Sequence, residues 1–275
     1  MIPMQVVQLA LKEEPRVPLE AEALLPETCL ALDEDGIRGL TVYHGNKRRT
    51  VGDFFSVDGC RSERLELVGD LSKLKRIGWG MKRGSIRIRG STGMHLGALM
   101  SGGSILVEGN AGDWLGAQMS GGTIRVKGNA GNFAGAAYRG EKRGMTGGTI
   151  LIEGSAGHMA GELMRRGMIA IGKDSGDFPG GSMLAGTVVI FGRPGERPGG
   201  GMKRGTVLCL EEATVLPTFR YNCTFNPIVA RILLSYLKAE GFPVREEHLS
   251  GSYRRYSGDI SELGKGEILI WNHPT

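Results

Sequence analysis

The chain has 275 residues, 46 of them glycine, and a formal net charge of +5 at pH 7. Its glycines are interleaved with aliphatic residues and have no three-residue period, which excludes collagen and argues against a disordered chain. Four widely spaced cysteines without a CxxC pair exclude a zinc ribbon or an iron–sulfur signature and favour free thiols in a reducing cytosol.

Neither end of the sequence indicates export or membrane insertion. Residues 1–5 lack a basic segment followed by an apolar stretch, so no secretory signal is expected. No apolar run approaches the roughly 20 residues that span a bilayer. We therefore predict a cytoplasmic protein that has no contact with membranes.

Residues 1–64 do not repeat and are predicted to form an N-terminal β segment that caps or extends the rest of the chain. Residues 5–9 have the pattern of a strand, and residues 40–43 and 47–55 that of a hairpin. A cap is expected because the bare edge strand of a repeat domain invites aggregation.

Residues 65–210 are predicted to form the glycine-rich repeat domain. Gly84, Gly103 and Gly122 are nineteen residues apart, and after one longer step to Gly148 the spacing of nineteen resumes. Each unit has a five-residue strand whose second and fourth residues are apolar and are expected to point inward. No unit has room for a helix. The pattern predicts an all-β fold, a right-handed parallel β-helix of about seven turns of 19 residues.

Two further columns keep this spacing, and both are predicted to point into the interior. Seven methionines precede the corner glycines by three residues and are expected to fill space beside them. Trp114, Phe133, Met159 and Phe178 form the other column, with His95 and Arg197 at its ends. The methionines are Met81, Met100, Met119, Met145, Met164, Met183 and Met202.

The outward strand residues change character along the repeat. Arg89, Glu108, Lys127 and Glu153 alternate in sign, which is expected to stabilise stacking. Later outward positions are apolar and need cover, either from the terminal segments of the chain or from a partner. These positions are Ala170, Val189, Phe191, Leu208 and Leu210.

A basic edge is the candidate binding surface. Seven extra residues, 138–144, form a basic loop with a tyrosine, and dibasic pairs precede three corner glycines in one register. Repeat proteins often place such insertions on the binding face, although a solvated loop is the alternative. Nucleic acid is disfavoured because aromatic residues are scarce and not interleaved with this patch. The predicted carrier- or partner-binding residues are Lys82, Arg83, Tyr138, Arg139, Lys142, Arg143, Arg165, Arg166, Lys203 and Arg204.

Residues 211–275 are predicted to form a C-terminal helix and tail that pack on the repeat domain or on a partner. Asn226 and Pro227 are a helix start, and Gly241 is the stop. The expected apolar stripe of this helix should cover the outer apolar face or the C-terminal end of the repeat. The stripe consists of Ile228, Ile232, Leu233, Tyr236 and Leu237.

No catalytic residue and no metal site are predicted. The sequence has no phosphate-binding loop, its five histidines share no ligand spacing, and Cys223 has no nearby histidine. Asp113 and Asp177 share one corner column with several other residue types, which favours turn chemistry over an acid pair.

Several segments resemble the C-type subunit of the formylmethanofuran dehydrogenase family, and together they cover nearly the whole chain. The glycine array alone also resembles the structural β-helical domain of glutamate synthase large subunits. The segments that carry the first similarity are residues 69–78, 93–98, 109–117, 137–145, 255–259 and 262–267.

The resemblance implies a scaffold subunit of an enzyme complex in one-carbon metabolism. In the bacterial formyltransferase/hydrolase complexes, other subunits move a formyl group between tetrahydromethanopterin and a methanofuran analogue and release it as formate. In the archaeal enzymes, other subunits hold a tungsten or molybdenum pterin and iron–sulfur clusters. We favour the bacterial complex, because the basic charge and the relaxed repeat are less like a thermophilic archaeal chain.

The same resemblance implies which molecules the chain meets. No cofactor is expected in this chain, since the metals belong to other subunits. Its partners are expected to be formyltransferase-like and amidohydrolase-like subunits, and the basic edge is expected to face the glutamate-rich tail of the carrier or a neighbouring subunit. A glutamate-synthase-like structural module and a stand-alone β-helical enzyme remain alternatives.

Overall fold

A computed structural model of the chain describes residues 6–273, so Gln5 of the predicted first strand and the segment considered for a signal lie outside it. The described chain is mostly β, with short helices at both ends. Strands belong to two sheets, one of thirteen strands that is rich in parallel pairs and one of four. This architecture is consistent with a β-helix-like fold.

The N-terminal region contributes strands to both sheets. The predicted hairpin is present as β3 (Thr41–His44) and β4 (Lys47–Thr50), but residues 51–54 form a helix instead of continuing the second strand. Asp53 causes the change, since its carboxylate accepts a hydrogen bond from the Thr50 N–H at 2.9 Å and so caps a helix at the strand end. The elements are β1 (Val7–Leu11), β2 (Leu19–Glu20), α1 (Pro26–Cys29), α2 (Glu34–Arg38), β3 (Thr41–His44), β4 (Lys47–Thr50), α3 (Val51–Phe54), β5 (Phe55–Asp58), β6 (Arg64–Val68) and β7 (Leu74–Lys75).

The repeat region forms the centre of the large sheet. Each of its strands pairs in parallel with the next, and the corresponding residues of the units lie side by side. Isolated parallel bridges link Thr92, Ala111 and Ala130 in a second ladder that runs from Leu71 to Ser175, so the units along it contribute two stacked segments each. The strands are β8 (Ser85–Arg89), β9 (Ser104–Val107), β10 (Thr123–Val126), β11 (Thr149–Ile152), β12 (Met168–Ile171), β13 (Thr187–Ile190) and β14 (Arg204–Cys209).

The interior of the repeat contains the predicted aliphatic and methionine columns. The two residues of each repeat that were predicted to point inward, from Ile86 and Ile88 to Val207 and Cys209, are at most 1% exposed, and all seven methionines are fully buried. The methyl group of each methionine except Met202 lies beside the corner glycine of the next unit, where a side chain would collide with it. At Gly122, for example, an added Cβ would stand 2.6 Å from Met100 Cε. Both predictions are confirmed.

The predicted inward aromatic column is wrong by one residue. Trp114 and Phe133 have φ of +63°, and their rings stack on each other half-buried, with centroids 4.5 Å apart. The following residues, Leu115 and Ala134, are the buried ones. The left-handed backbone at each corner turns the ring outward and sends the next side chain into the interior. His95, Met159, Phe178 and Arg197 share this left-handed conformation.

Three of the four alternating outward charges form ion pairs, each with a residue that lies diagonally across on a neighbouring strand rather than with another member of the column. Lys127 forms no ion pair within residues 6–273. Arg89 Nε lies 2.5 Å from Glu66 Oε1, and Arg125 Nε lies 2.8 Å from Glu153 Oε1. Glu108 pairs with Arg87 rather than with Arg89. Solvent screens such exposed pairs, so they support register more than stability.

The C-terminal segment covers the outward apolar residues of the later repeats. The last strand, β17 (Lys265–Trp271), pairs in parallel with β14. Strand β16 (Tyr253–Gly258) pairs antiparallel with β17, and β15 (Arg220–Phe225) pairs antiparallel with β16. Leu151, Ala170, Val189 and Leu208 are buried in a second core beneath the C-terminal helix. Cover by the chain itself is therefore confirmed. The elements are β15 (Arg220–Phe225), α4 (Ile228–Ala239), α5 (Glu246–Ser250), β16 (Tyr253–Gly258) and β17 (Lys265–Trp271).

The predicted cap at the start of α4 is wrong, whereas the predicted end of the helix is confirmed. Asn226 is not the cap, because its Nδ2 donates to the Ser250 carbonyl at 2.8 Å, and Pro227 is the residue that precedes the helix. Gly241, with φ of +85°, ends the helix as predicted. The Phe242 N–H donates to the Leu237 carbonyl, which completes a Schellman motif.

The predicted apolar stripe of α4 is mostly on the wrong face. Ala230, Leu234 and Leu237 are buried against the sheet, whereas Ile228, Ile232 and Tyr236 are exposed. The helix carries apolar residues on two faces, and the face chosen from the sequence is the one that the sheet leaves uncovered.

Alanine substitutions should distinguish these two faces of α4. We expect Leu234→Ala to lower the free energy of unfolding by about 2–4 kcal/mol, because it leaves a cavity beneath a fully buried side chain. Ile232→Ala, on the exposed face of the helix, should change the free energy of unfolding by less than about 0.5 kcal/mol. Urea denaturation followed by circular dichroism measures both, and equal losses would contradict the observed orientation.

Candidate functional site: a basic groove beside the insertion

The insertion leaves the repeat without disturbing it. Thr123 of β10 pairs with Thr149 of β11 as in every other unit, although 26 residues separate them. The base of the loop is held by backbone hydrogen bonds, from Gly144 to Leu163 at 2.9 Å and from Met145 to Gly135 at 2.8 Å. The extra residues are therefore displayed on a rigid support.

Tyr138 anchors the start of the loop. Its ring stacks on Trp114 and Trp79, with centroids 5.0 and 6.0 Å away, and its hydroxyl lies 2.9 Å from His95 Nδ1. Burial raises the pKa of Tyr138 to about 12. Burial also lowers the pKa of His95, and nearby positive charges add to the shift. Both groups are neutral near pH 7, so this is a structural hydrogen bond rather than an ion pair.

Removing the Tyr138 anchor should loosen the loop. We expect Tyr138→Ala to accelerate trypsin cleavage within residues 139–143 at least tenfold, because the ring contacts and the hydroxyl bond are lost together. Tyr138→Phe, which keeps the ring, should change the rate by less than about threefold. Tyr43→Ala is the control, since Tyr43 is an exposed residue in β3 far along the chain. Unchanged cleavage of Tyr138→Ala would contradict this role.

A groove with a volume of about 800 Å³ lies beside the insertion, and we call it the basic groove. Two cations of the loop face it, together with the dibasic pairs of two later corners. Leucines supply its apolar part, and Glu141 is the one acidic group of its lining. The full lining is Glu141, Lys142, Arg143, Leu163, Arg165, Arg166, Leu184, Ala185, Lys203, Arg204 and Leu263.

Most of the positive charge in the basic groove is uncompensated. Among the described residues only Lys203 has an acidic partner, Glu262, at 3.6 Å. Lys142, Arg143, Arg165, Arg166 and Arg204 form no ion pair within residues 6–273. Confined like charges repel one another, and an anionic ligand would relieve that repulsion. The groove is thus suited to an acidic chain that also presents apolar groups.

The structure gathers six of the ten predicted site residues into the basic groove and leaves four outside it. Lys82 and Arg83 precede the first regular corner, several units away, where the Lys82 N–H donates to Glu27 Oε1 at 3.0 Å. Tyr138 belongs to the aromatic anchor. Arg139 is exposed on the loop but does not line the groove.

Sequence reasoning missed the apolar part of the basic groove. Leu163 and Leu184 lie near successive corners, and Leu263 comes from the C-terminal tail. The repeat spacing could have located the first two beside the dibasic pairs. Leu263 could not be found this way, because the tail does not repeat.

The candidate acid residues of the corner column have a structural role. Asp113 Oδ1 accepts a hydrogen bond from the Asn132 N–H at 2.7 Å, and Asp177 Oδ1 accepts one from the Glu196 N–H at 2.9 Å. Each side chain thus binds the backbone of the next unit, which confirms the interpretation as turn chemistry.

The two buried cysteines are also unsuited to nucleophilic chemistry. Burial raises the pKa of Cys29 to about 11 and that of Cys209 to about 12, so both thiols stay protonated near neutral pH. Within residues 6–273 no three His, Cys, Asp or Glu side chains are grouped to hold a metal ion. The helices in that range are too short or too polar to cross a membrane.

Comparison with known proteins identifies the family. Residues 67–226 match the model of the GXGXG motif. The C-type subunit of the formyltransferase/hydrolase complex Fhc of Methylorubrum extorquens is 52% identical over 228 residues, which are 82% of this chain and 85% of that protein. This chain belongs to the same family of C-type subunits. The predicted resemblance is confirmed.

A solved structure of the family has the same fold. In the X-ray crystal structure of the formyltransferase/hydrolase complex (FhcABCD) from Methylorubrum extorquens in complex with methylofuran, the matching chain has a TM-score of 0.91 and 37% identity. The match covers 97% of this chain and 100% of that chain.

The archaeal members of the family match over a shorter region. The C-type subunit of the molybdenum-containing formylmethanofuran dehydrogenase 1 of Methanothermobacter marburgensis is 43% identical over 88 residues, 31% of this chain. That of the tungsten-containing formylmethanofuran dehydrogenase 2 of Methanothermobacter thermautotrophicus is 38% identical over 100 residues. The matched regions span 22% and 37% of those two proteins.

Proposed function

We propose that this chain is the non-catalytic scaffold subunit of a formyltransferase/hydrolase complex. The observation that carries the proposal is the structural match to a member of such a complex over 97% of this chain. The complex would transfer a formyl group between tetrahydromethanopterin and a methanofuran analogue and release it as formate. This chain would supply no reacting group, and it would hold the catalytic subunits in place.

The fold suits that role if the repeats form a closed column. We infer seven turns of a right-handed parallel β-helix over residues 65–210, capped by residues 1–64 and covered by residues 211–275. The parallel ladders and the fully buried methionine column support this arrangement. Such a column is rigid because every turn is hydrogen-bonded to its two neighbours.

The partners would be formyltransferase-like and amidohydrolase-like subunits, which would hold the metals and bind the pterin. The chain itself would bind no cofactor. The basic groove would receive an acidic segment, either the glutamate-rich tail of the carrier or part of a neighbouring subunit. Its five unpaired cations support an anionic occupant, and Lys82, Arg83 and Arg139 would extend the positive field around it.

The equivalent subunit of an archaeal formylmethanofuran dehydrogenase is the second candidate. The 43% identity to the molybdenum-containing enzyme favours it, but that identity is confined to 31% of the chain. The tungsten or molybdenum centre and iron–sulfur clusters would then lie in other subunits.

Purification of the tagged chain from its native cells tests the proposal. We expect formyltransferase-like and amidohydrolase-like chains to co-purify, and the complex to release formate from a formylated carrier. The isolated chain should catalyse neither transfer nor hydrolysis. An iron–sulfur protein in the complex would support the archaeal type instead, and glutaminase-type partners or activity of the isolated chain would overturn the proposal.

A further inference from the structure

Exposed apolar side chains are concentrated where β15 leads into α4. Residues 6–273 contain twelve large apolar side chains that are exposed, and six of them fall within residues 221–236. Their exposure ranges from 36% to 71%. A patch of this kind on one continuous stretch is typical of an interaction site, whereas scattered single residues are not. The six are Tyr221, Phe225, Ile228, Val229, Ile232 and Tyr236.

Strand β15 is also an open sheet edge. It is the last strand of the large sheet and pairs with β16 on one side only. Five of its six residues are exposed, so neither of its faces is covered. Alternate backbone N–H and C=O groups of an edge strand point away from the sheet and can pair with another strand. Only Asn226 and Pro227 separate this edge from α4, so the exposed edge leads directly into the helix that carries the exposed apolar residues.

The charges beside this surface indicate the type of partner. Residues 213–239 contain no Asp or Glu, but they contain Arg220, Arg231 and Lys238. Lys238 pairs with Glu246, whereas Arg220 and Arg231 are exposed and form no ion pair in the described part of the chain. A second copy would bring arginines towards arginines. A different chain that carries carboxylates would neutralise them, so the charge pattern favours a heterologous partner.

We propose that β15 and the outer face of α4 are the docking surface for an extended segment of another subunit. The segment adds a strand to the free edge of β15 and lays apolar side chains against Val229 and Ile232. It places acidic residues near Arg220 and Arg231. Backbone pairing gives affinity in this mode of recognition, and the apolar and charged contacts give selectivity. The inference rests on the proposed function, because it assigns the partner to the same complex.

The test compares assembly of variants of the full chain, each co-expressed with the other subunits of its complex. Val229→Asp and Ile232→Asp should each reduce recovery of the complex at least tenfold. Both side chains are mostly exposed, so the variants should fold, with thermal unfolding of the isolated chain unchanged. Val17→Asp is the control, because Val17 is an exposed valine in the N-terminal region, outside the proposed docking surface. It should assemble normally.

Hydrogen exchange on the wild-type chain gives a second readout. The amides of β15 should exchange at least tenfold more slowly in the complex than in the isolated chain. Full assembly of both aspartate variants, or unprotected β15 amides in the complex, would overturn the inference while the proposed function stands. A homodimer broken by Ile232→Asp would overturn it in favour of self-association. Failure of the wild-type chain to assemble with any other protein of the complex would overturn the proposed function as well.

Discussion

Gly122→Ala is expected to lower the free energy of unfolding by about 3–5 kcal/mol, against about 1 kcal/mol for Gly140→Ala. The two glycines have nearly the same backbone, with φ of +85° and +87°. Alanine in this left-handed region costs roughly 1–2 kcal/mol at either place. At Gly122 the new methyl group would also stand 2.7 Å from the Gly103 carbonyl oxygen and 2.6 Å from Met100 Cε, whereas at Gly140 nothing lies within 4 Å.

The comparison isolates the stacking of the repeats from the strain of the turn. At Gly122 the backbone of one unit must move away from the next, and such overpacking typically costs about 1–3 kcal/mol in addition to the strain. Guanidinium denaturation of both variants, followed by far-UV circular dichroism, provides the two values. Similar losses for the pair would show that close contact between neighbouring units does not explain the glycine column.

Charge reversal in the basic groove is expected to have the largest functional effect. The double variant Arg143→Glu/Arg166→Glu should weaken binding of the acidic segment by at least tenfold. Two attractive contacts then become repulsive, each worth about 1 kcal/mol or more in a confined site. If the occupant is the carrier tail, the apparent KM for the carrier rises. If it is a neighbouring subunit, recovery of the complex falls.

The matched control is Arg193→Glu, since Arg193 is an exposed corner arginine outside the basic groove. It should leave KM and assembly within about twofold of wild type. The wild-type affinity should also fall when the salt concentration rises from about 50 to about 300 mM, because screening weakens exposed charge interactions. If the double variant has normal KM and normal recovery, the basic groove is not a binding site.

The repeating part of the fold was predictable because the same constraint recurs in every unit. The inward Ile and Val positions and the methionine column recur at one spacing, so each unit confirms the assignment of the others. Errors occurred where a local backbone choice overrides the pattern. At the corner beginning with Trp114, a left-handed residue shifts the inward position to Leu115, and residue type alone does not reveal that shift.

The nonrepeating segments were less predictable for a different reason. Helix α4 has apolar residues on two faces, and the identity of the buried face depends on the sheet beneath it. Leu234 packs there and Ile232 does not, although the leucine and isoleucine side chains are isomers. The basic groove was half predictable in the same sense. The repeat register and the insertion placed Arg143, Arg165 and Arg204 on one edge, but only the folded tail adds Leu263.

The unbroken pairing of Thr123 with Thr149 across the insertion has an evolutionary consequence. Because the ladder closes beneath the loop and residues 139–143 are exposed, the composition of these five residues can change without a compensating change in the core. Selection on mutations there acts mainly through the contacts that the loop makes with other molecules and only weakly through folding. Related proteins can therefore differ at this point while the stacking of the repeats beneath it is preserved.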